Sequence, residues 1–443
     1  MRHSLLNILG FFFAIAPGIL SSGHLHSRHL RRSAHHKHGH VHKRDGEDIN
    51  AADIDADVNI NSTNIDASLR AKHKHKPKLH FWALTDSFRG YDFYNEFDFE
   101  AIDDPTRGRV NYVNMSTAIA KGLTEAKWNS FILRADSTSV LDPNGPGRDS
   151  IRIQSKKQWT TGVTILNLVI RASCCRLGSK ANELGTSTEP YAYRMRDLAI
   201  VSLYLRPSAI NTEQIWSQRY WMTQTEDWPI HGELDVIEGH RLILAISSQP
   251  PNFSALHTLN GCTVAPQRTM TGSVVSTNCS YLNNWNQGCP VQWDRPEAYG
   301  SGLNKMGGGW FVTERTESKI SIWFWGRKDE NVPPAVKYGF PIVSTTNFGT
   351  PVAVWESSDT CDFKKIFGSI NIIINLTFCE LSSPYAPNIR LKHPIGGEWA
   401  GQTPLFNAAG CPGTCVDYVN NNPNAFKDAY WDIASINVYS RAI

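Results

Sequence analysis

The run WPIHGELDVIEG at Trp228–Gly239 sets three carboxylates into an otherwise apolar segment. Its Leu, Val and Ile residues favour a β-strand, and glycine and proline punctuate its ends. Because side chains alternate between the faces of a strand, Glu233 and Asp235 share one face. Glu238 falls on the opposite face unless an extra residue bulges the strand near Ile237. The sequence therefore predicts a bulged strand with all three acids facing one cleft.

The chain from His80 onwards predicts an all-β fold. Short β-type runs recur with turn residues between them, whereas helical periodicity is scarce. The clearest runs are Ser150–Ser155, Ile320–Trp325, Ile370–Phe378 and Ala434–Tyr439. Many short strands, frequent Gly and Pro, and 14 Trp residues indicate a two-sheet β-sandwich.

The first 23 residues have the composition of a secretory signal peptide. Met1–Gly23 has a basic start, an apolar centre and small residues at its end, and Pro17 cuts the apolar run too short for a spanning helix. Nine cysteines, whose pairing the sequence leaves open, and five Asn-x-Ser/Thr tripeptides fit an oxidising compartment. The acceptor candidates are Asn61, Asn114, Asn252, Asn278 and Asn375. We expect a glycosylated protein that is secreted, extracellular or cell-wall associated, without stable membrane insertion.

Residues 24–79 form a basic, histidine-rich tract that lacks the apolar residues for a core. Its histidine spacing is irregular and no cysteine or acid completes a metal site, so a propeptide or disordered linker is favoured over a metal-binding segment. Within the catalytic domain predicted for residues 80–443, two stretches near 172–218 and 380–397 lack the strand texture. Each is either a surface insertion or the product of a faulty gene model.

Closely spaced acids are typical of glycoside hydrolysis. In the retaining mechanism one carboxylate attacks the anomeric carbon, and a second protonates the leaving oxygen and then activates water. A third acid between them can hold the nucleophile and keep the acid/base protonated through like-charge repulsion. A binding protein has no need for such a mutually repelling group.

The acid-bearing run resembles the active-site strand of glycoside hydrolase family 16, in its fungal laminarinase-like branch of endo-β-glucanases. The resemblance implies a jelly-roll β-sandwich whose concave sheet forms the glucan cleft. It also implies that Glu233 is the nucleophile, Asp235 the assisting acid and Glu238 the acid/base. The match covers most of His80–Tyr439 apart from the two atypical stretches. Further matching motifs include Asp98–Val113, Asp136–Arg152, Leu256–Cys262, Asn286–Cys289, Gly307–Trp310, Glu398–Gly401 and Ala425–Trp431.

Three further residues are predicted to bind substrate. Trp221 and Trp228 stand where the family places cleft aromatics, and their flat faces suit the C–H groups of sugars. His257 stands where the family places a histidine near the acids, although a satisfied core histidine is an equal alternative. For Trp310 and Trp323 we expect core packing instead. The sequence departs from the family at 217–221, which reads SQRYW where Trp-Pro-Ala-Phe-Trp is usual.

Three functions fit these observations. The first is a retaining endo-glucanase that cleaves β-1,3- or mixed β-1,3/1,4-glucan by double displacement. The second is a transglycosylase that remodels cell-wall glucan, and the third is a catalytically silent glucan-binding jelly-roll. No metal cluster, phosphate loop or nucleotide motif rises above chance in the sequence. We therefore expect a monomer that takes β-glucan, with no cofactor, no metal and no nucleic-acid partner.

Overall fold

A computed structural model of the chain describes residues 81–171, 216–239, 251–283, 286–379 and 413–441. The predicted signal peptide, the histidine-rich tract and the stretch 380–397 lie outside these residues. So does the stretch 172–218, apart from its last three residues. Asn61, Cys174, Cys175 and Cys411 are also outside them.

β-Strands dominate the described residues. They are β1 (Trp82–Phe88), β2 (Phe97–Phe99), β3 (Val110–Tyr112), β4 (Thr124–Lys127), β5 (Ser130–Arg134), β6 (Arg148–Ser150), β7 (Arg152–Ser155), β8 (Gly162–Arg171), β9 (Trp216–Thr223), β10 (Glu233–Gly239), β11 (Asn252–His257), β12 (Ser273–Val274), β13 (Val291–Gln292), β14 (Gly309–Arg315), β15 (Lys319–Gly326), β16 (Ile342–Val343), β17 (Ala353–Glu356), β18 (Asn371–Phe378) and β19 (Tyr430–Arg441). The runs predicted at 320–325, 370–378 and 434–439 lie in β15, β18 and β19, with residue 370 just outside β18, so these predictions are confirmed. The run predicted at 150–155 is divided between β6 and β7.

Short helices connect some of the strands. The α-helices are α1 (Asp92–Glu96), α2 (Met115–Ala120), α3 (Gly300–Met306), α4 (Pro334–Tyr338), α5 (Phe363–Ile366) and α6 (Cys415–Asn421). Single 3-10 turns occur at Pro296–Ala298, Thr345–Asn347 and Pro423–Phe426. Among the described helices, none has the length and apolar character needed to cross a membrane.

Most strands belong to two antiparallel sheets. Sheet 1 has nine strands: seven follow the order β16-β1-β19-β8-β14-β15-β17, with β5 added to β19 and β4 to β5. Sheet 2 has eight strands in the order β12-β13-β11-β10-β9-β18-β7-β2. β3 and β6 form a small parallel pair. The prediction of an all-β, two-sheet fold is confirmed.

The main core lies between the two sheets. Leu234 and Val236 of β10 belong to the same buried cluster as Leu166 of β8 and Phe311 of β14. Because alternate residues face opposite ways, the residues between these point away from this core. This alternation leaves the second face of β10 available for polar groups.

A second cluster covers the other face of sheet 1. Trp310 and Trp323 lie in it, with exposed fractions of 4% and 6%, together with Trp325 and Phe348. Phe348 meets the rings of Trp323 and Trp325 edge-on, with centroids 5.7 and 5.5 Å apart. The prediction that Trp310 and Trp323 are core residues is therefore confirmed.

Three disulfides are present within the described residues, and all six of their cysteines lie outside the named strands. They join Cys262 to Cys361, Cys279 to Cys289 and Cys379 to Cys415. The third connects the residue after β18 to the first residue of α6. The expected disulfide-bonded chain is thus confirmed for six of its nine cysteines.

Candidate active site

β10 carries the three acids and contains the predicted bulge. Towards β9, the pairing skips one residue between Asp235 and Ile237, so Val236 is the extra residue. Towards β11, the register likewise shifts between Asp235 and Glu238. One extra residue reverses the alternation of side chains, which brings Glu238 to the face that holds Glu233 and Asp235. The sequence-based prediction of a bulged strand is confirmed.

Side chains of β11 hold the bulge in place. The Val236 carbonyl accepts hydrogen bonds from Asn252 Nδ2 at 3.0 Å and from Ser254 Oγ at 2.8 Å. The Glu238 amide donates to Asn252 Oδ1 at 3.1 Å, and Trp293 Nε1 donates to Ser254 Oγ at 3.1 Å. A bulge removes backbone groups from the ladder, so buried polar side chains have to satisfy them. Sequence reasoning missed this role, although Asn and Ser in an otherwise apolar strand were a visible signal.

Strand register brings a cation to each end of the acid group. Glu233 pairs directly with His257 of β11, and Glu238 pairs with Arg219 of β9. Directly paired residues share a face and lie close together. His257 Nε2 is accordingly 3.0 Å from Asp235 Oδ2 and 3.9 Å from Glu233 Oε1. Arg219 Nη2 is 3.0 Å from Glu238 Oε1.

Burial and like charge govern the protonation of this group. The exposed fractions of Glu233, Asp235 and Glu238 are 6%, 1% and 3%. Burial, followed by repulsion from Asp235, raises the pKa of Glu233 to about 8, although the charges of His257 and Arg219 act in the opposite direction. Glu238 raises it further. Because these carboxyls interact, the proton held near neutral pH belongs to the group as a whole.

The pKa of His257 is raised to about 9. Burial alone lowers it, but the hydrogen bond to Asp235 and the charges of Glu233, Asp235 and Glu238 outweigh that effect. His257 is therefore cationic at neutral pH and offsets part of the negative charge of the acids. The structure places it beside the acids, while its predicted role in substrate binding stays a prediction.

Trp228 contacts the predicted nucleophile. Its Nε1 donates to Glu233 Oε2 at 2.6 Å, and its half-buried ring lies edge-on to Tyr281 with centroids 5.5 Å apart. Gly232, just before Glu233, has φ +70°, and a Cβ there would come within 2.6 Å of the Phe367 ring. Glycine thus permits both the backbone turn and the close packing that lead into Glu233.

Trp221 lies on the same face of sheet 2. It pairs directly with Asp235, and its Nε1 donates to Asn375 Oδ1 at 3.0 Å. The Arg152 guanidinium lies 4.9 Å from its ring centroid, and Arg152 is itself paired with Glu100. These contacts fix the orientation of a half-buried aromatic ring beside the acids. Arg152 was not singled out from the sequence.

The atoms of this site could in principle hold a cation. Single ligand atoms of Glu233, Asp235 and His257 lie within 4.8 Å of one another. However, the cationic imidazole of His257 and the guanidinium of Arg219 already supply positive charge against these carboxylates. We therefore treat the group as an acid–base site.

A family model matches residues 97–177 and 186–439, and its description is "XgeA-like, catalytic GH16 domain". The chain belongs to glycoside hydrolase family 16. The match covers more than half of the chain, and it includes all of the stretch 380–397 and all but 178–185 of the stretch 172–218. The family resemblance inferred from the sequence is confirmed.

Relatives and solved structures agree with this family. A probable endo-1,3(4)-β-glucanase of Aspergillus clavatus is 33% identical over 368 residues, which cover 81% of this chain and 46% of that protein. The chain thus spans about half the length of such curated relatives. A structure of laminarinase 16A from Phanerochaete chrysosporium, with β-glucans in donor and acceptor sites, is 40% identical. The alignment covers 81% of this chain and 100% of the laminarinase chain, with a TM-score of 0.65. The jelly-roll prediction is confirmed.

A transferase has the same fold. The structure of an elongating family 16 β-1,3-glucosyltransferase is 27% identical, with a TM-score of 0.59. The alignment covers 81% of this chain and 100% of that chain. The family 16 fold is therefore compatible with hydrolysis and with glucosyl transfer.

The six predicted site residues come together on one face of sheet 2. Glu233, Asp235 and Glu238 lie along β10. Trp221 pairs directly with Asp235 and His257 with Glu233. Trp228 donates a hydrogen bond to Glu233. Arg219 is the principal addition, and it lies in the run 217–221 that departs from the family pattern. The individual roles of these residues stay predictions.

Proposed function

We propose that this chain is a secreted, endo-acting, retaining glycoside hydrolase that cleaves β-1,3- or mixed β-1,3/1,4-glucan. The observation that carries the proposal is the bulge of β10, which puts Glu233 and Glu238 on one face with Asp235 between them. Two carboxylates acting on one sugar linkage are the requirement of double displacement. The similarity to a laminarinase with β-glucans bound in its donor and acceptor sites supports the substrate class.

In the proposed mechanism, Glu233 attacks the anomeric carbon while Glu238 protonates the leaving oxygen. Glu238 then removes a proton from the water that releases the sugar. The hydrogen bond from Trp228 holds Glu233 Oε2 in position, and Asp235 lies between the two glutamates along the strand. Trp221 and Trp228 offer flat ring faces to the glucan chain.

The test is to incubate the purified full-length protein with laminarin and lichenan. We expect reducing ends to be released from at least one of them, and the first product to keep the β-configuration by proton NMR. A folded sample that releases no reducing ends from either glucan would refute the hydrolase. An inverted first product would refute double displacement alone.

Glucosyl transfer is the second candidate, favoured by the similarity to an elongating glucosyltransferase. Both activities use the same covalent intermediate, and they differ in whether water or a glucan accepts it. Laminari-oligosaccharides of defined length separate them by mass spectrometry. Products longer than the input would favour transfer, whereas only shorter products would favour hydrolysis.

We also propose that the secreted chain is a monomeric glycoprotein. Asn114 is exposed and Asn278 is half-buried, whereas Asn252 and Asn375 are buried and hydrogen-bonded. A bulky glycan on a buried, hydrogen-bonded side chain is incompatible with the native packing, so we expect glycans at Asn114 and Asn278 but not at the other two described sites. Glycopeptide mass spectrometry and light scattering of the secreted protein test these expectations. A glycan at Asn252 or Asn375 would contradict the assignment.

A further inference from the structure

The loop that ends at Cys289 lies against one side of His257. Asn286 Oδ1 lies 3.0 Å from His257 Nδ1. Gly288 has φ +65°, and a Cβ there would lie 3.1 Å from the His257 ring. The Cys279–Cys289 disulfide fixes the end of the loop. The loop therefore lies along the Nδ1 side of the His257 ring, whereas the Nε2 side points towards the acids.

The backbone at Asn286 is in a conformation that most residues avoid. Its φ is +64°, in the left-handed region where Asn is one of the few tolerated side chains. Arg107 and Cys379 are the other non-glycine residues with such a φ in the part of the chain that the structure describes. Of these three, Asn286 hydrogen-bonds a residue of the acid site. Such backbone strain is concentrated at functional sites in proteins.

His257 lies between two hydrogen-bond acceptors. Its Nδ1 faces the amide oxygen of Asn286, and its Nε2 faces Asp235 Oδ2 at 3.0 Å. An amide oxygen can only accept a hydrogen bond, and the contact with Asp235 is an ion pair when the ring is charged, so this arrangement suits a ring that carries a proton on both nitrogens. We propose that Asn286 is a positioning residue that holds His257 as an imidazolium in the ion pair with Asp235.

The charge of this imidazolium acts on the nucleophile. The ionisable groups around it are Glu233, Asp235 and Glu238 on β10, with Arg219 on β9. His257 lowers the pKa of Glu233, whereas burial and Asp235 raise it. Asn286 thereby helps Glu233 to ionise without touching it. This consequence for catalysis rests on the proposed hydrolase, but the protonation of His257 does not.

The direct test is nitrogen-15 NMR of the histidine-labelled full-length protein. His257→Gln identifies the His257 signals by their disappearance. In the wild type at pH 7.5 we expect both ring nitrogens to have imidazolium shifts. A neutral ring with the proton on Nε2 would overturn the proposal, because it would show that the Asn286 amide donates to Nδ1.

Two substitutions of Asn286 separate the hydrogen bond from the backbone. Asn286→Gly permits the same φ but removes the carbonyl, and we expect the pKa of His257 to fall by about 1, since a charge-assisted hydrogen bond is lost. Asn286→Asp keeps an acceptor oxygen, so we expect His257 to stay cationic at pH 7.5. Arg107→Gly relieves a similar φ at an exposed residue and serves as the matched control. An unchanged titration of His257 in Asn286→Gly would overturn the proposal.

The pH profile of glucan hydrolysis provides the second measurement. In Asn286→Gly we expect the acidic limb of kcat to move to higher pH by up to about 0.5, because His257, with its lowered pKa, loses part of its charge as Glu233 ionises. Asn286→Asp is expected to leave that limb in place. A uniform loss of kcat without a shift would indicate a structural role and contradict the proposal. Absence of hydrolysis in the wild type would instead refute the proposed function, while the NMR titration would still decide the role of Asn286.

Discussion

β10 in sheet 2 and β15 in sheet 1 are buried to the same extent but for opposite reasons. Each strand turns one face towards the main core, to which β10 contributes Leu234 and β15 contributes Ile322. On its second face β15 presents Trp323 to an apolar cluster, whereas β10 presents Glu233 and two further acids. Burial of aromatic surface stabilises a fold, but burial of charge costs free energy unless the charge is paired. β15 therefore adds to the stability of the fold, whereas the charged face of β10 lowers it.

The largest expected effect is on the acids of β10. We expect Glu233→Gln and Glu238→Gln each to lower kcat on glucan by roughly 10⁴-fold, because each removes a carboxylate required for double displacement. Glu314→Gln in β14 is the matched control, since that carboxylate accepts hydrogen bonds from Trp82 and Thr345 at sheet 1. Steady-state kinetics gives kcat for the two β10 variants and for the control, and circular dichroism checks that each variant is folded. Full activity in either β10 variant would refute its assigned role.

A substitution in β15 is expected to show the opposite pattern. Trp323→Ala removes a buried ring that packs against Phe348, so we expect the free energy of unfolding to fall by about 3–5 kcal/mol. The acids lie on the other sheet, so kcat measured well below the melting temperature should stay near the wild-type value. Urea unfolding and steady-state kinetics measure the two quantities. A large loss of kcat in the folded variant would contradict this separation of roles.

The free-energy cost of burying the acids should appear in the pH dependence of the free energy of unfolding. The pKa of Glu233 is raised from 4.5 to about 8, so the native state binds more protons than the unfolded state between these values, and stability falls as pH rises through them. The pKa of His257 is raised from 6.5 to about 9, so its contribution is complete below pH 6.5 and is lost as pH rises through 9. Both effects predict falling stability from about pH 4.5 to 9.

Neutralising Glu233 should remove most of the fall in stability that its raised pKa causes between about pH 4.5 and 8. We expect Glu233→Gln to raise the free energy of unfolding at pH 7 by roughly 1–3 kcal/mol and to flatten its pH dependence below pH 8. Urea unfolding at pH 5, 7 and 9 provides the measurement. A variant that is less stable than the wild type at pH 7 would show that Glu233 contributes stability and is not a cost to the fold.

The smallest expected effect is at the contact between Trp228 and Glu233. Trp228→Phe keeps an aromatic ring but loses the 2.6 Å hydrogen bond to Oε2. Since that bond favours the ionised carboxylate, we expect kcat at neutral pH to fall about tenfold and the acidic limb of the pH profile to rise. Trp325→Phe in β15 is the control that should leave the profile unchanged. An unshifted profile in Trp228→Phe would limit Trp228 to binding the sugar.

Much of the site was predictable because its signals are local. The alternation of side chains along β10 and the spacing of its three acids required a bulge, and the register on both sides shows it. The core packing of Trp310 and Trp323 was also expected, because Trp side chains are highly buried on average. Such patterns depend on backbone geometry over a few residues, which the sequence encodes directly.

The tertiary structure decided which distant residues complete the site. Arg219, Asn252 and Asn286 come from three separate segments, and each reaches the acids or His257 through strand register or loop closure. A shift of one residue in register would turn each strand over, and register depends on the packing of both sheets together. The sequence by itself determined a bulged acidic strand in an all-β, family 16 domain. Only the folded chain determined how its buried charges are paired, because that pairing is made between segments far apart in sequence.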